Sequence, residues 1–175
     1  MSIEIALKKF VDVVVKESKT ALTKKDRNVS KSLYNSIKGK SKVSKNSFEI
    51  SFEMESYGKF LDKGVKGKKS SLKAPDSDFQ FGSGTGKEGG LTQGILKWVT
   101  KRRFQFRERK EKGKKGQFMS YESTAFLITR SIYLTGTKPT EFFTKPFNAA
   151  FKKLPDEIIK SYALEVKSLL KNSFQ

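Results

Sequence analysis

Ser47-Phe48-Glu49-Ile50-Ser51-Phe52-Glu53-Met54-Glu55-Ser56 alternates apolar and polar side chains. Successive side chains of a strand point to opposite faces. Phe48, Ile50, Phe52 and Met54 therefore share one face, and Glu49, Ser51, Glu53 and Glu55 share the other. The stretch reads as a strand of a half-buried sheet. Val43 either begins a preceding strand or extends this one. The segments around it carry a helical period instead, which places the chain in the α+β class.

Upstream, Ile3, Leu7, Phe10 and Val14 step by four, three and four, and Ala21 lies two turns further along. Lys8, Lys9, Asp12, Lys16 and Lys19 occupy the other side, so residues 3–22 predict an amphipathic helix. Lys24 to Asn28 form a polar break. Asn28 or Ser30 can cap a second short helix that carries Val29, Leu33 and Ile37 on one face, with Gly39 ending it.

Downstream, Tyr57-Gly58-Lys59-Phe60-Leu61-Asp62-Lys63-Gly64 reads as a short apolar turn. Residues 65–90 have little periodicity. They divide into a lysine-rich part (Lys66, Lys68, Lys69, Lys73) and a glycine-rich part (Gly82, Gly84, Gly86, Gly89, Gly90). This reads as a long loop, and loops of this length in compact domains are functional or disordered. Ile95, Trp98, Val99 and Arg102 align a helix over 92–103. Residues 101–116 hold nine basic and two acidic residues, which suggests a protruding loop or mobile hairpin. Tyr121, Ala125, Ile128 and Ile132 align a helix over 121–135, with Ser120 as its cap.

A corner follows. Gly136 supplies a left-handed residue to end the helix, and Pro139 keeps the chain from resuming it. Pro146 suits the first turn of a short helix over 146–153. Phe142, Phe143, Phe147 and Phe151 fall within the corner and that helix. A last helix over about 156–172 has Asp156 and Glu157 in its first turn and Lys167 and Lys171 near its end. Its apolar stripe is Ile159, Tyr162, Val166 and Leu169. The expectation is one α+β domain over residues 1–175. A small, mostly antiparallel sheet is packed by N-terminal and C-terminal helices, with loops at about 65–90 and 101–117.

Charge and composition narrow the chemistry. The 175 residues include 37 Lys and Arg against 18 Asp and Glu, a net +19. Such a chain attracts polyanions: nucleic acid, an anionic membrane surface or acidic protein faces. It has no Cys and no His. Disulfides, thiolate sites and the usual general base near neutral pH are thereby excluded. No apolar run is long enough to span a bilayer, and the N-terminus does not read as a signal peptide, so a cytoplasmic product is expected.

Gly82-Ser83-Gly84-Thr85-Gly86-Lys87 is no phosphate loop: Phe81 takes the first Gly position and Glu88 the hydroxyl position. Glu49, Glu53 and Glu55 share a strand face without an Asp or His partner. Ser–Lys or Thr–Lys chemistry has no distinguishing pattern in a chain so rich in both. The reading is non-enzymatic, without cofactor or metal. In 101–116, Phe104 and Phe106 are interleaved with Lys101, Arg102, Arg103, Arg107 and Arg109. Such a segment contacts DNA or an acidic protein, or is simply a solvated loop.

Three segments in order carry a resemblance: Ser32-Leu33-Tyr34-Asn35-Ser36-Ile37, the strand with Tyr57 to Gly64, and Gly136 through Pro139, Phe142-Phe143, Pro146-Phe147 and Ala150. The order resembles the tail-completion, or head–tail joining (neck/connector), proteins of tailed double-stranded DNA phages. Lys31 stands where that family often has Gly, and Gly64-Val65 opens a long insertion. The resemblance implies a structural virion protein, assembled in the host cytoplasm. It would form a homo-oligomeric ring around the DNA channel at the head–tail junction, between portal/connector and tail proteins. It marks Tyr57, Phe60, Leu61, Phe142, Phe143 and Phe147 as candidate subunit or partner contacts. Lys66, Lys68, Lys69, Lys73, Arg102, Arg103, Arg107 and Arg109 become candidate contacts to DNA or acidic partners. Deleting residues 65–90 is then expected to spare monomer folding but block attachment. The alternative is a basic accessory protein that binds nucleic acid without sequence preference.

Overall fold

In the computed structural model, the N-terminal helical period becomes helix α1 (Ile3–Lys24). The structure describes residues 3–25, 31–44, 47–82, 90–108, 116–156 and 158. They fall into two compact units, Met1–Gly58 with Glu141–Gln175, and Lys59–Thr140.

In the first unit α1 buries Leu7, Phe10 and Val14 as its spacing predicts. Ser18 and Leu22 continue the buried line in steps of four, while Ala21 is only half-buried. Helix α2 (Ser32–Ser36) is a single turn. Lys31 precedes it at φ 56, with no side-chain cap. Asn28, Val29 and Ser30 lie outside the described residues. Gly39 does not end this helix. The chain leaves it at Ile37 and enters strand β1 (Lys38–Ser44), in which Gly39 is the second residue. A Cβ there would lie 2.5 Å from Val11 Cγ1 and 3.0 Å from the Phe52 ring, so glycine lets β1 approach α1.

Strand β2 (Ser47–Glu53) pairs antiparallel with β1, from Lys38 opposite Glu53 to Ser44 opposite Ser47. Val43 therefore belongs to a preceding strand, opposite Phe48. Ile50 and Phe52 turn toward the core as the alternation predicts, but Phe48 and Val43 remain exposed. The apolar face of the hairpin runs past the part that the core covers.

Helix α6 (Thr144–Phe151) completes this core and starts two residues earlier than expected, with Pro146 still in its first turn. Leu7, Phe10, Val11, Val14 and Leu154 form the buried centre, and Ile50, Phe52, Phe143 and Phe147 pack against it. Phe10 meets Phe52 at 6.3 Å and Phe147 at 5.8 Å, and Phe52 meets Phe143 at 5.3 Å, all near edge-on. Each such pair contributes about 0.5–1.5 kcal/mol beyond its buried area. Residues 154–156 and 158 are helical. The expected stripe Ile159, Tyr162, Val166 and Leu169 lies outside the described residues.

Helix α3 (Gly58–Lys63) leads into the second unit, and Gly64 turns the chain at φ 71. Strand β3 (Val65–Lys66) pairs antiparallel with β4 (Gly136–Thr137). Residues 65–82 are not a structureless loop. Lys66 N–H donates to the Phe79 carbonyl at 2.8 Å, and Phe81 N–H donates to Lys66 at 2.9 Å. The buried Ser77 hydroxyl donates to the Gly64 carbonyl at 2.8 Å, and Ala74 is buried nearby in sequence. Removing residues 65–90 would therefore delete β3 and orphan β4, so the expectation that such a deletion spares folding is corrected. Gly84, Gly86 and Gly89 lie outside the described residues.

Helix α4 (Gly90–Arg102) packs on α5 (Tyr121–Thr135), with Val99, Thr124 and Ala125 buried. Ser120 caps α5, its Oγ accepting from Ser123 N–H at 3.1 Å. The basic segment is partly ordered: Lys101 and Arg102 finish α4, and Arg107 bridges Phe118 in antiparallel pairing. Residues 109–115 lie outside the described residues. Gly136 does end α5, but at φ 79 and ψ −177, not in the left-handed helical well, because it enters β4 directly. Among the described residues no helix is long and apolar enough to cross a membrane. The architecture is α+β, with antiparallel two-stranded sheets.

Candidate interaction surfaces

The aromatic corner is spent largely on packing. Phe142 is fully buried, so it offers no side chain to a partner. Phe143 and Phe147 are half-buried in the ring cluster around Phe52. Tyr57 and Phe60 differ: they are 44% and 45% exposed. Phe60 keeps one edge contact, to Phe79 at 4.7 Å. Leu61 is half-buried, and its carbonyl accepts from Thr140 Oγ1 at 2.6 Å and from Thr140 N–H at 3.1 Å. These two hydrogen bonds tie Thr140, the last residue of the second unit, to α3.

The candidate lysines divide. Lys73 is half-buried, and its Nζ donates to Thr135 Oγ1 at 2.7 Å and to the Gly136 carbonyl at 3.2 Å. It closes the C-terminus of α5, where a cation also meets the negative end of the helix dipole. Lys66 is half-buried within β3. Lys68 is exposed, with its ammonium 5.7 Å from the centre of the Tyr133 ring, and Lys69 is exposed beside it in sequence. Lys63 and Asp78 form an exposed ion pair at 2.8 Å. The hydrogen bond from Lys63 holds the Asp78 carboxyl below its ordinary range, and the same bond raises the Lys63 ammonium.

The arginines belong to a surface that the structure makes more definite than the sequence did. Arg102 is the last residue of α4, and Arg103 turns the chain at φ 51; both side chains are exposed. Trp98, Phe104 and Phe106 form a row of exposed rings beside them, with neighbouring centroids 6.0 and 5.3 Å apart. Arg107 lies 4.0 Å over the Phe118 ring and donates to the Gly116 carbonyl at 3.3 Å. Arg109 lies outside the described residues. The basic and aromatic interleaving pointed here, but Trp98 joins only through the fold, because it sits on α4 and not in the basic segment.

A second cationic surface had no signal in the sequence. An open groove of about 870 Å³ runs between α1 and the segment from Tyr34 to Lys40. Val11, Val15 and Ile37 line it together with Lys16, Lys19, Lys24, Lys38, Lys40 and one acid, Asp12; Lys40 is paired with Glu53 at 3.3 Å. Lys19 lies 5.2 Å from the Tyr34 ring centre. Helical spacing alone placed Lys16 and Lys19 on a solvated face; β1 supplies the opposite wall. Among the described residues no three His, Cys, Asp or Glu side chains gather as a metal site. No protein-family model matches the chain, and no curated protein or solved structure shows significant similarity to it.

Proposed function

We propose that the chain is a structural, non-enzymatic virion protein of a tailed phage. It forms part of the head–tail connector as a homo-oligomeric ring around the DNA channel. The observation that carries this reading is the amount of large apolar surface left open in both units. Val43 and Phe48 stand exposed on the hairpin, and Phe126 and Leu127 on α5 are 57% and 40% exposed. A charge of +19 opposes random self-association, so such surface needs specific neighbours to cover it. A heterologous contact repeated by rotation closes into a ring. The order of the three segments from Ser32, Tyr57 and Gly136 supports the same reading.

Electron microscopy with mass measurement tests it, on the purified protein alone and with phage particles. A closed ring, or density at the head–tail junction, is expected. A small monomer absent from virions overturns the reading.

The second reading is a basic accessory protein that binds nucleic acid without sequence preference. The cationic groove along α1 and the ring row beside Arg102 and Arg103 favour it. Its mark is an affinity that falls steeply with salt and ignores sequence.

A further inference from the structure

The row formed by Trp98, Phe104 and Phe106 is held by the fold and still open to solvent. Phe104 N–H donates to the Val99 carbonyl at 2.9 Å, tying the first turn after α4 back to a buried residue. Phe106 N–H donates to the buried Thr124 hydroxyl at 3.2 Å, and its carbonyl accepts from Met119 N–H at 2.8 Å. The rings are thus fixed against α4 and α5. Each nonetheless keeps 38–40% of its surface exposed. Trp98 and Phe104 are tilted by 55°, and Phe104 and Phe106 meet edge to face at 76°, so each contact covers only part of a ring and the exposed part stays open to a further partner.

The chain segment that forms the row is basic up to Arg107, with Glu108 next. Lys101 and Arg102 follow Trp98 by three and four residues on α4, the spacing that brings side chains to one side of a helix. Arg103 comes next, and no Asp or Glu occurs between residues 89 and 107. A second copy of the chain meeting this row with its own row would bring the same cations together and be repelled. An acidic protein segment would answer the cations but not the open ring faces. A duplex would answer them no better, because its bases are already stacked and paired. Unpaired bases answer both, since every base has a face to stack and a phosphate beside it.

We infer that this row binds single-stranded nucleic acid, with bases stacked on Trp98, Phe104 and Phe106 and phosphates met by Lys101, Arg102 and Arg103. The inference rests on the nucleic-acid reading above and adds to it the strand class and the residues.

Trp98 is the one tryptophan of the chain, so its fluorescence reports on this row alone. The full-length protein is titrated at fixed low salt with a labelled oligothymidylate of about 16 nucleotides, the upper end of single-strand site sizes, and with a duplex of equal length. Label anisotropy and Trp98 emission are read together. The single strand is expected to bind about tenfold or more tightly than the duplex and to quench Trp98. Phe104→Ala is expected to weaken the single-strand complex by about 5- to 150-fold and leave duplex affinity unchanged. Phe104→Tyr, which keeps a stacking face, is expected to retain binding; this separates lost stacking from lost folding.

Equal affinity for both strands with unchanged Trp98 emission would overturn the inference and leave a charge-only nucleic-acid protein, with the α1 groove as its site. Binding of neither strand would overturn both readings. Quenching by polyglutamate but not by the oligonucleotide would overturn the inference in favour of an acidic protein partner.

Discussion

Replacing Gly136 with alanine tests the construction of the second unit where β3 and β4 meet. Gly136 has φ 79 and ψ −177, a combination that residues with a side chain rarely adopt. Forcing alanine into it costs about 1–3 kcal/mol. The new Cβ would also lie 2.3 Å from the Val65 carbonyl oxygen, 2.6 Å from Gly67 N and 3.0 Å from the Lys66 carbonyl carbon. All three are backbone atoms, so no side chain can swing aside, and β3 must withdraw from β4. The ladder pairs Val65 with Thr137 and Lys66 with Gly136. Losing two hydrogen bonds there adds about 0.5–1.5 kcal/mol each, for a sum of about 2–6 kcal/mol. At about 2–4 °C per kcal/mol for a chain of this size, Tm falls by roughly 5–20 °C. Urea and thermal unfolding followed by far-UV circular dichroism measure both quantities. Gly94→Ala is the control: it lies inside α4 with nothing within 4 Å of the new methyl group. That change is expected to stabilise by about 0.5–1 kcal/mol. If Gly136→Ala unfolds within about 0.5 kcal/mol of the wild type, the close approach of β3 and β4 is not what the structure describes.

Other changes probe separate parts of the molecule. Phe10→Ala removes a ring that is 4% exposed and contacts Phe52 and Phe147, and is expected to destabilise by about 3–5 kcal/mol in urea unfolding. Lys73→Met leaves Thr135 Oγ1 and the Gly136 carbonyl without their ammonium partner. A loss of about 1–3 kcal/mol is expected, and an unchanged urea midpoint would show that the lysine is free to serve elsewhere. The Lys63–Asp78 pair predicts a pH dependence with a definite sign. Asp78 has a lowered value, so its contribution is present above the ordinary carboxylate range and is lost as pH falls through the folded value. Lys63 has a raised value, so its contribution is present below the ordinary lysine range and is lost as pH rises through the folded value. Asp78→Asn should therefore lower the urea midpoint slightly at neutral pH and not at strongly acidic pH. Because the pair is exposed, added salt should shrink the difference.

Much of the first unit was legible from spacing. The 3.6-residue period of Leu7, Phe10 and Val14 and the two-residue period of Ile50 and Phe52 each name a buried face, and these faces meet in one core. Gly39 was misread because a glycine after a helical turn looks like a stop. Its purpose is a distance, to Val11 and Phe52, and no local pattern carries a distance between segments. The second unit was harder to read. Its strands have two residues each, too short for any period, and its order comes from hydrogen bonds such as Ser77 to Gly64 and Lys73 to Thr135. Low periodicity in residues 65–82 therefore looked like a loop.

The candidate surfaces divide the same way. Phe104, Phe106 and the arginines could be picked out because rings and cations alternate along the chain. Trp98 and the α1 groove could not, because their partners come from other elements. The sequence by itself determined the α+β class, the main helices, the β2 strand and the absence of thiol and imidazole chemistry, since composition and period are local properties. Only the tertiary structure decided which phenylalanines are core, which lysines are capped and which rings stay open. Burial and hydrogen bonding depend on segments far apart in sequence, and a one-dimensional pattern does not bring them together.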